Sequence, residues 1–226
     1  MNNESAERIA EWLSRADNPV IFTGAGMSTE SGIPDFRSPG GIWTKYRTVY
    51  FDEFMESAEA RHEYWRQKAE GHRDFADAKP NSGHEVIARW EADDLIHGVI
   101  TQNIDGLHQI AGNKNVLELH GTAREIMCMD CGARYDCEPL IQVFLNTDQV
   151  PLCEQCADGR LKHATISFGQ SLPAQVLQEA AAWCRQSGLL FAIGSSLVVT
   201  PAADLPVLTQ SHGGHLVIIN RDATPL

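Results

Sequence analysis

Apolar residues recur at i, i+3, i+4 and i+7 through Ile9, Trp12, Leu13 and Ala16, the spacing that lines one face of an α-helix, and Asn18-Pro19 closes this first predicted helix. The pattern then changes. Short apolar runs at 20–23, 98–101, 189–193 and 216–219 show no polar alternation, so each predicts a strand covered on both faces. Between them, Ser82-Gly83-His84-Glu85 has capping-box spacing ahead of Val86, Ile87 and Trp90, which predicts a helix starting near Ser82 and leading into the Val99 strand. Pro173, whose missing N–H is harmless in a first turn, predicts the start of another helix with Val176, Leu177, Ala180 and Cys184 on its inner face. Strands alternating with helices predict an α/β fold: a Rossmann-like parallel sheet with helices on both faces. Two stretches break this pattern. Trp43 to Phe75 is aromatic and charged, and Cys128 to His163 holds five of the six cysteines. They predict a smaller helical and zinc-ribbon module, 43–78 and 123–164, inserted into a main domain made of 1–42, 79–122 and 165–226.

A chain of 226 residues has room for one sizeable core and such a module, but not for two full domains. Its 18 Lys and Arg against 30 Asp and Glu give a net charge of −12. Without surplus cations to displace counterions, a nucleic-acid partner is not expected; a basic protein tail would be attracted. The first twelve residues are polar, with Glu4 and Glu7, and show no secretory signal. The longest apolar run, 189–193, falls far short of the ~20 residues that span a bilayer. The expectation is a cytoplasmic protein without a membrane segment, in a compartment where six cysteines do not form a disulfide framework.

The cysteine spacing then carries meaning. Cys128-x-x-Cys131 and Cys153-x-x-Cys156, with Gly132 and Pro151 beside the turns, match a four-thiolate zinc site; four protein ligands leave no open position, so the ion would be structural. Cys137 and Cys184 lie outside the pattern and read as packed apolar side chains. After the first strand, Gly24-Ala25-Gly26-Met27-Ser28 would let a diphosphate approach the backbone, with a following helix N-terminus to receive it. The third glycine of a dinucleotide fingerprint would fall at Thr29, so an ordinary glycine turn remains open. Arg37 could add charge to phosphates or be paired elsewhere. Further polar clusters follow the other strands: Thr101-Gln102-Asn103-Ile104-Asp105, Gly194-Ser195-Ser196 and Asn220-Arg221. Singly, such residues bind their own backbone. Together they fall at the carboxyl ends of the strands, where open α/β sheets bind ligands. His120-Gly121 closes the run Val116-Leu117-Glu118-Leu119, between that edge and the second module, which makes His120 a candidate catalytic residue.

Together these residues resemble the sirtuin family of NAD-dependent protein lysine deacylases, of bacterial or archaeal type. The matching motifs are Gly24 to Ser28, Gly32-Ile33-Pro34-Asp35-Phe36-Arg37, Thr101 to Asp105, His120-Gly121, the two cysteine pairs, Phe168-Gly169, Gly194-Ser195-Ser196-Leu197 with Pro201-Ala202-Ala203, and Asn220. They come in the family's order along nearly the whole chain. The resemblance implies NAD as co-substrate, with its diphosphate on Gly24 to Gly26 and its adenosine near Ser195 and Asn220. It implies that Gln102, Asn103, Ile104 and Asp105, with Asp35 and Phe36, hold the nicotinamide in a cleavable pose, and that His120 acts as general base on a ribose hydroxyl. The backbone near Ile166, Phe168 and Gly169 would pair with an acyl-lysine peptide by edge addition.

Four departures from the family pattern qualify these implications. Gln170 stands where a Glu is frequent, and Lys162-His163-Ala164-Thr165 lacks a frequent Arg-Pro, both of which bear on peptide preference. Members that remove succinyl or malonyl groups place a Tyr and an Arg three residues apart; here Tyr64 is followed by Gln67, and Arg61 lies on the other side, so dicarboxylic acyl groups are not expected. The family continues past Asn220 with a segment over adenine, so an end at Leu226 implies a shortened chain or a weaker adenine pocket. Transfer of ADP-ribose to a protein, or a weakly catalytic NAD or ADP-ribose sensor, are the other readings; a sensor would not need His120 as a base. Oligomeric state is not legible.

Overall fold

The computed structural model describes residues 3–35 and 46–226; the expectations for Phe36 and Arg37 lie outside these residues. In chain order the strands are β1 (Val20–Thr23), β2 (Gly98–Thr101), β3 (Val116–Glu118), β4 (Gly121–Cys128), β5 (Arg134–Asp136), β6 (Leu161–Thr165), β7 (Leu189–Ile193) and β8 (His215–Ile219). The helices are α1 (Asn3–Arg15), α2 (Phe51–Glu56), α3 (Ala58–Ala76), α4 (Ser82–Ala92), α5 (Leu107–Ala111), α6 (Cys137–Thr147), α7 (Ala174–Gln186) and α8 (Leu205–Ser211).

Five strands form a parallel sheet in the order β3-β2-β1-β7-β8. Successive side chains of a strand face opposite ways, and on β1 both directions are apolar. Val20 and Phe22 join Ile100, Leu190, Ala192 and the helical residues Ala180, Cys184 and Leu205 on one face. Ile21 joins Val99, Leu189, Phe191 and Ile87 on the other, where Ile9, Trp12 and Leu13 of α1 also pack. The Rossmann-like expectation is thus met, and the double coverage explains the unalternating runs.

Two local expectations are corrected. The last strand is not covered on both faces: β8 is the sheet edge, with His215 and Ile219 exposed and Val217 alone buried. The cap of α4 is Asn81 rather than Ser82. Its side chain accepts from the N–H groups of Gly83 and His84, at 2.9 and 3.3 Å, and His84 Nδ1, not Glu85, accepts the Asn81 N–H at 3.4 Å. A cap must leave helical dihedrals while its carbonyl opens the ladder, and Asn81, with ψ of 176°, does so.

A smaller antiparallel sheet, β5-β4-β6, shares a separate core with α2, α3 and α6 through Phe54, Trp65, Ile126, Ile141, Phe144 and Leu161. The Trp65 indole N–H donates to the Leu161 carbonyl at 2.8 Å, so its one polar atom is satisfied. Strand β4 pairs with β6 first at Gly121↔Thr165 and again from Ile126↔His163, with a register shift between. The two halves of the molecule therefore meet directly after His120. Among the described residues no helix is long and apolar enough to cross a membrane.

Candidate active site

The chain runs from β1 outward through β2 and β3 on one side and through β7 and β8 on the other, so the carboxyl ends of β1 and β7 border the point where the strand order reverses. The loops at that point touch through glycine. The N–H of Gly24 donates to the Ile193 carbonyl at 3.0 Å, and that of Gly26 to the Gly194 carbonyl at 2.8 Å. A Cβ on Gly26 would stand 2.8 Å from Gly194 Cα. The expected helix N-terminus behind this turn is corrected: among the described residues Ala25–Met27 and Thr29–Ser31 are short 3-10 turns. The N–H groups of Gly26, Met27 and Ser28 are spent within the loops, on Gly194, Gly24 and Ala25. What the turn offers a ligand is close approach and a rigid shape.

The β2 loop reaches across this junction in both directions. The Asn103 side chain, almost fully buried, donates to the Gly24 carbonyl and to Ser28 Oγ, both at 3.0 Å. Ser28 Oγ in turn donates to Asp105 Oδ2 at 2.7 Å, while Asp105 Oδ1 accepts the Leu107 N–H at 2.9 Å. In the other direction Gln102 Nε2 donates to Ser195 Oγ at 2.8 Å. Ile104 is anchored by its carbonyl, which accepts the Ala123 N–H at 2.8 Å.

His120 joins this cluster from the end of β3. Its Nδ1 lies 2.8 Å from the Gln102 carbonyl, an atom that can only accept, so Nδ1 carries the proton and Nε2 is left with the lone pair. Burial holds the imidazole below its ordinary pKa, with the Gln102 hydrogen bond acting in the opposite sense. A neutral ring with a fixed tautomer is equipped to take up a proton at Nε2.

Gly24, Ala25, Gly26, Ser28, Gln102, Asn103, Ile104, Asp105, His120, Gly194 and Ser195 are thus brought to one rim, with Ser196 next in the β7 loop. The end of β8 adjoins it, since the Gly194 N–H donates to the Ile219 carbonyl at 2.9 Å. Beyond it, Asn220 Nδ2 donates to the Asp222 carbonyl at 2.8 Å, and Arg221 forms an exposed ion pair with Asp222 at 2.9 Å, with the Asp35 charge nearby. Around His120 on the module side, the Ile166 N–H donates to the His120 carbonyl and the Phe51 N–H to the Phe168 carbonyl, each at 2.9 Å. Phe168 itself is half exposed beside Tyr50, and the Gln170 side chain accepts the Ser167 N–H at 3.1 Å, closing the turn through Gly169.

Two participants, Thr23 and Arg124, carry no sequence signal. Thr23 donates to Thr101 Oγ1 at 2.8 Å beneath the rim, and Arg124 Nε donates to the Asp105 carbonyl at 2.6 Å. An open cleft of about 710 Å³ beside Leu13, Asp17, Glu91, His97 and Lys114 lies at the opposite, amino ends of the strands and includes none of these groups.

The sulfur atoms of Cys128, Cys131, Cys153 and Cys156 all lie within 4.8 Å of one another. Of the remaining two cysteines, Cys184 packs in the main core. Cys137 is buried too, but its Sγ sits 3.2 Å from His163 Nε2, and burial pushes its thiol up to about 12.

Comparison with known proteins agrees with this geometry. The model of the Sir2 family matches residues 24–201. The NAD-dependent protein deacetylase of Rhodopseudomonas palustris is 43% identical over 224 residues, covering 98% of this chain and 88% of that protein. A solved structure of Sir2 with a p53 peptide and NAD+ superposes with a TM-score of 0.87 at 41% identity, covering 97% of this chain and 88% of that one. One of Sir2 bound to acetylated peptide gives a TM-score of 0.87 at 40% identity, covering 97% and 87%.

Proposed function

The chain belongs to the Sir2 family, and we propose that its site removes acyl groups from lysine side chains of other proteins at the expense of NAD, giving nicotinamide, O-acyl-ADP-ribose and free lysine. The observation that carries this reading is the convergence of the β1, β2 and β7 loops beside an imidazole whose only free nitrogen is Nε2. Relatives solved with NAD+ and with acetylated peptide support it.

In this reading the glycine loops accommodate the diphosphate, Ser195 and Asn220 lie toward the adenosine, and Gln102, Asn103, Ile104 and Asp105 shape the nicotinamide pocket together with Asp35. The acyl-lysine enters between the two halves of the molecule, flanked by Ile166, Phe168 and Gly169. As nicotinamide leaves, the acyl oxygen bonds to the ribose carbon; His120 Nε2 then takes the proton of a ribose hydroxyl so that this oxygen can attack the acyl carbon, and water adds as the bond from that carbon to the lysine nitrogen breaks, releasing protonated lysine and O-acyl-ADP-ribose. Simple acetyl or longer apolar groups fit better than dicarboxylic ones. Gln67, which stands where members that remove succinyl or malonyl groups carry the Arg, donates to the Arg47 carbonyl and to Glu63, and Arg61 Nη1 donates to the carbonyls of Phe54 and Met55.

The four cysteines fit a structural zinc ion. Zinc–sulfur bonds of about 2.3 Å in a tetrahedron separate the sulfurs by about 3.8 Å, and Cys128–Cys156 and Cys131–Cys153 stand at 3.7 and 3.6 Å. The ion would tie β4 to the 153–156 turn and add nothing to the chemistry. Reduced thiolates of this kind support a cytoplasmic location. The separate cores on either side of His120 support a main domain of 1–42, 79–122 and 165–226 and a small one of 43–78 and 123–164.

The test is nicotinamide release from NAD with and without an acetyl-lysine peptide. Over many turnovers release should require the peptide and fall by roughly 10²–10⁴ in His120→Ala, which blocks the step that follows nicotinamide departure. Peptide-independent labelling of a protein by ADP-ribose, retained in that variant, would point to a transferase; NAD binding without turnover would point to a sensor.

A further inference from the structure

Behind the Asn103 loop two histidines are sealed in the main core. His84 in the first turn of α4 and His108 in α5 are 0% and 1% exposed, with ring centroids 4.8 Å apart and planes inclined by 58°. Asn113 links the two helices: its N–H donates to the His108 carbonyl at 3.0 Å, and its side-chain amide lies 3.5 Å from the Ile87 carbonyl, one turn along from His84. Among the described residues His84 Nε2, His108 Nδ1 and Asn113 Oδ1 are buried without a hydrogen-bond partner of good geometry, and the Asn113 side chain lies near enough to His108 to pull its pKa upward.

The satisfied atoms determine what these three must be. The Asn81 N–H points at His84 Nδ1, which is therefore the bare nitrogen, so Nε2 carries the proton. Thr23 has a single hydroxyl proton, and it goes to Thr101 Oγ1 at 2.8 Å. The contact of 3.0 Å between Thr23 Oγ1 and His108 Nε2 must then be donated by the histidine, which leaves His108 Nδ1 bare. The orphans are one donor and two acceptors, the complement of a water molecule that accepts once and donates twice. The Asn81 N–H on its Nδ1 makes the His84 ring neutral, in line with burial lowering its pKa against a weaker upward pull from Asp105; burial and then His84 bring His108 down to about 3, against a weaker upward pull from the Asn113 side chain. The relay continues from Thr101 Oγ1, which accepts the backbone N–H of Asn103 at 3.0 Å.

We propose that one buried water bridges His84 Nε2, His108 Nδ1 and Asn113 Oδ1, and that it heads a hydrogen-bond relay through Thr23 and Thr101 that positions the Asn103 loop for its ligand. The positioning part rests on the function proposed above, whereas the water and the tautomers do not. Long-range ¹⁵N–¹H spectra of the wild-type protein test the latter without any variant. Both rings should be neutral Nε2–H tautomers that do not titrate between pH 8 and pH 5, and a high-resolution crystal structure should show one water in contact with all three atoms. A His108 Nδ1–H tautomer, a protonated ring at pH 6, or density without that water would overturn the proposal. Thr23→Val cuts the relay while keeping the shape. In the folded enzyme the KM for NAD should rise about tenfold, as for loss of one hydrogen bond, with kcat changed much less, and Thr23→Ser should restore it. Lower stability with unchanged KM would mean that the relay supports the core only. A wild-type protein inert toward every acyl peptide would defeat the proposed function while leaving the tautomer result intact.

Discussion

Gly194→Ala tests whether the approach of the β1 and β7 loops builds the site. Gly194 has φ of +64°, and a Cβ there would stand 2.3 Å from Met27 N and 2.6 Å from Gly26 C. Both are backbone atoms of a loop held by the hydrogen bond of Gly26 to Gly194, so neither can swing aside. Gly213→Ala is the matched control: φ is +89° and a Cβ meets nothing within 4 Å. The left-handed backbone costs an alanine about 1 kcal/mol at either place. At Gly194 the overlap adds roughly 1–3 kcal/mol, the usual range for forcing atoms into a packed site. With a urea m-value of about 2.5 kcal/mol/M, the unfolding midpoint should fall by roughly 0.4 M in Gly213→Ala and by roughly 0.8–1.6 M in Gly194→Ala. Tryptophan fluorescence in urea reads this, and steady-state kinetics should show a raised KM for NAD in Gly194→Ala alone. Equal midpoint shifts in the two variants, or an unchanged KM in Gly194→Ala, would refute the idea that glycine is required here by loop contact.

Four further outcomes are expected. Because His120 must be neutral to act and burial lowers its pKa, the acid limb of kcat/KM should lie below the ordinary imidazole value of about 6.5; a limb above it would contradict the assignment. Buried Lys162, whose ammonium rests on the carbonyls of His163 and Thr165, has its pKa brought down from 10.5 to about 7, first by burial and then by Lys68. Unfolding therefore takes up a proton between these values and native stability rises as pH climbs through them, so the advantage of Lys162→Met should shrink by on the order of 3–5 kcal/mol from pH 7 to 10.5, at about 1.36 kcal/mol per unit; urea unfolding at the two pH values checks it. Removing the metal with a chelator, or Cys131→Ser, should melt the small module and abolish activity, since structural zinc binding is folding free energy, and unchanged circular dichroism would refute this. Asn81→Ala should cost about 1 kcal/mol in urea unfolding, with Ser82→Ala close to neutral.

The legible parts of the molecule were those whose cause is local. A central parallel strand shows two apolar faces, so 20–23, 98–101 and 189–193 stand out in the chain as the structure has them. Strand β3 did not stand out as one, being three half-buried residues at an edge, and β8 looked fully covered because its side chains are apolar although its edge is open. The cysteine pairs were legible for the same reason, each knuckle being four residues long. Where two neighbours could play one part, as Asn81 and Ser82 could at the head of α4, only the backbone decides. The glycine turn shows the limit most clearly. Its residues suggest room for a phosphate and a helix behind it, yet the first demand on Gly24 and Gly26 comes from Gly194 and Ser195, in the loop after the neighbouring strand but far along the chain. The same holds for Thr23 and His108, each unremarkable among its neighbours, which meet beside Thr101 only because β1 and β2 end beside the first turn of α5. A ligand site at a sheet's switch point is made from contacts of this kind, so the motifs mark where the site is, and the packing between them decides how its groups are aimed.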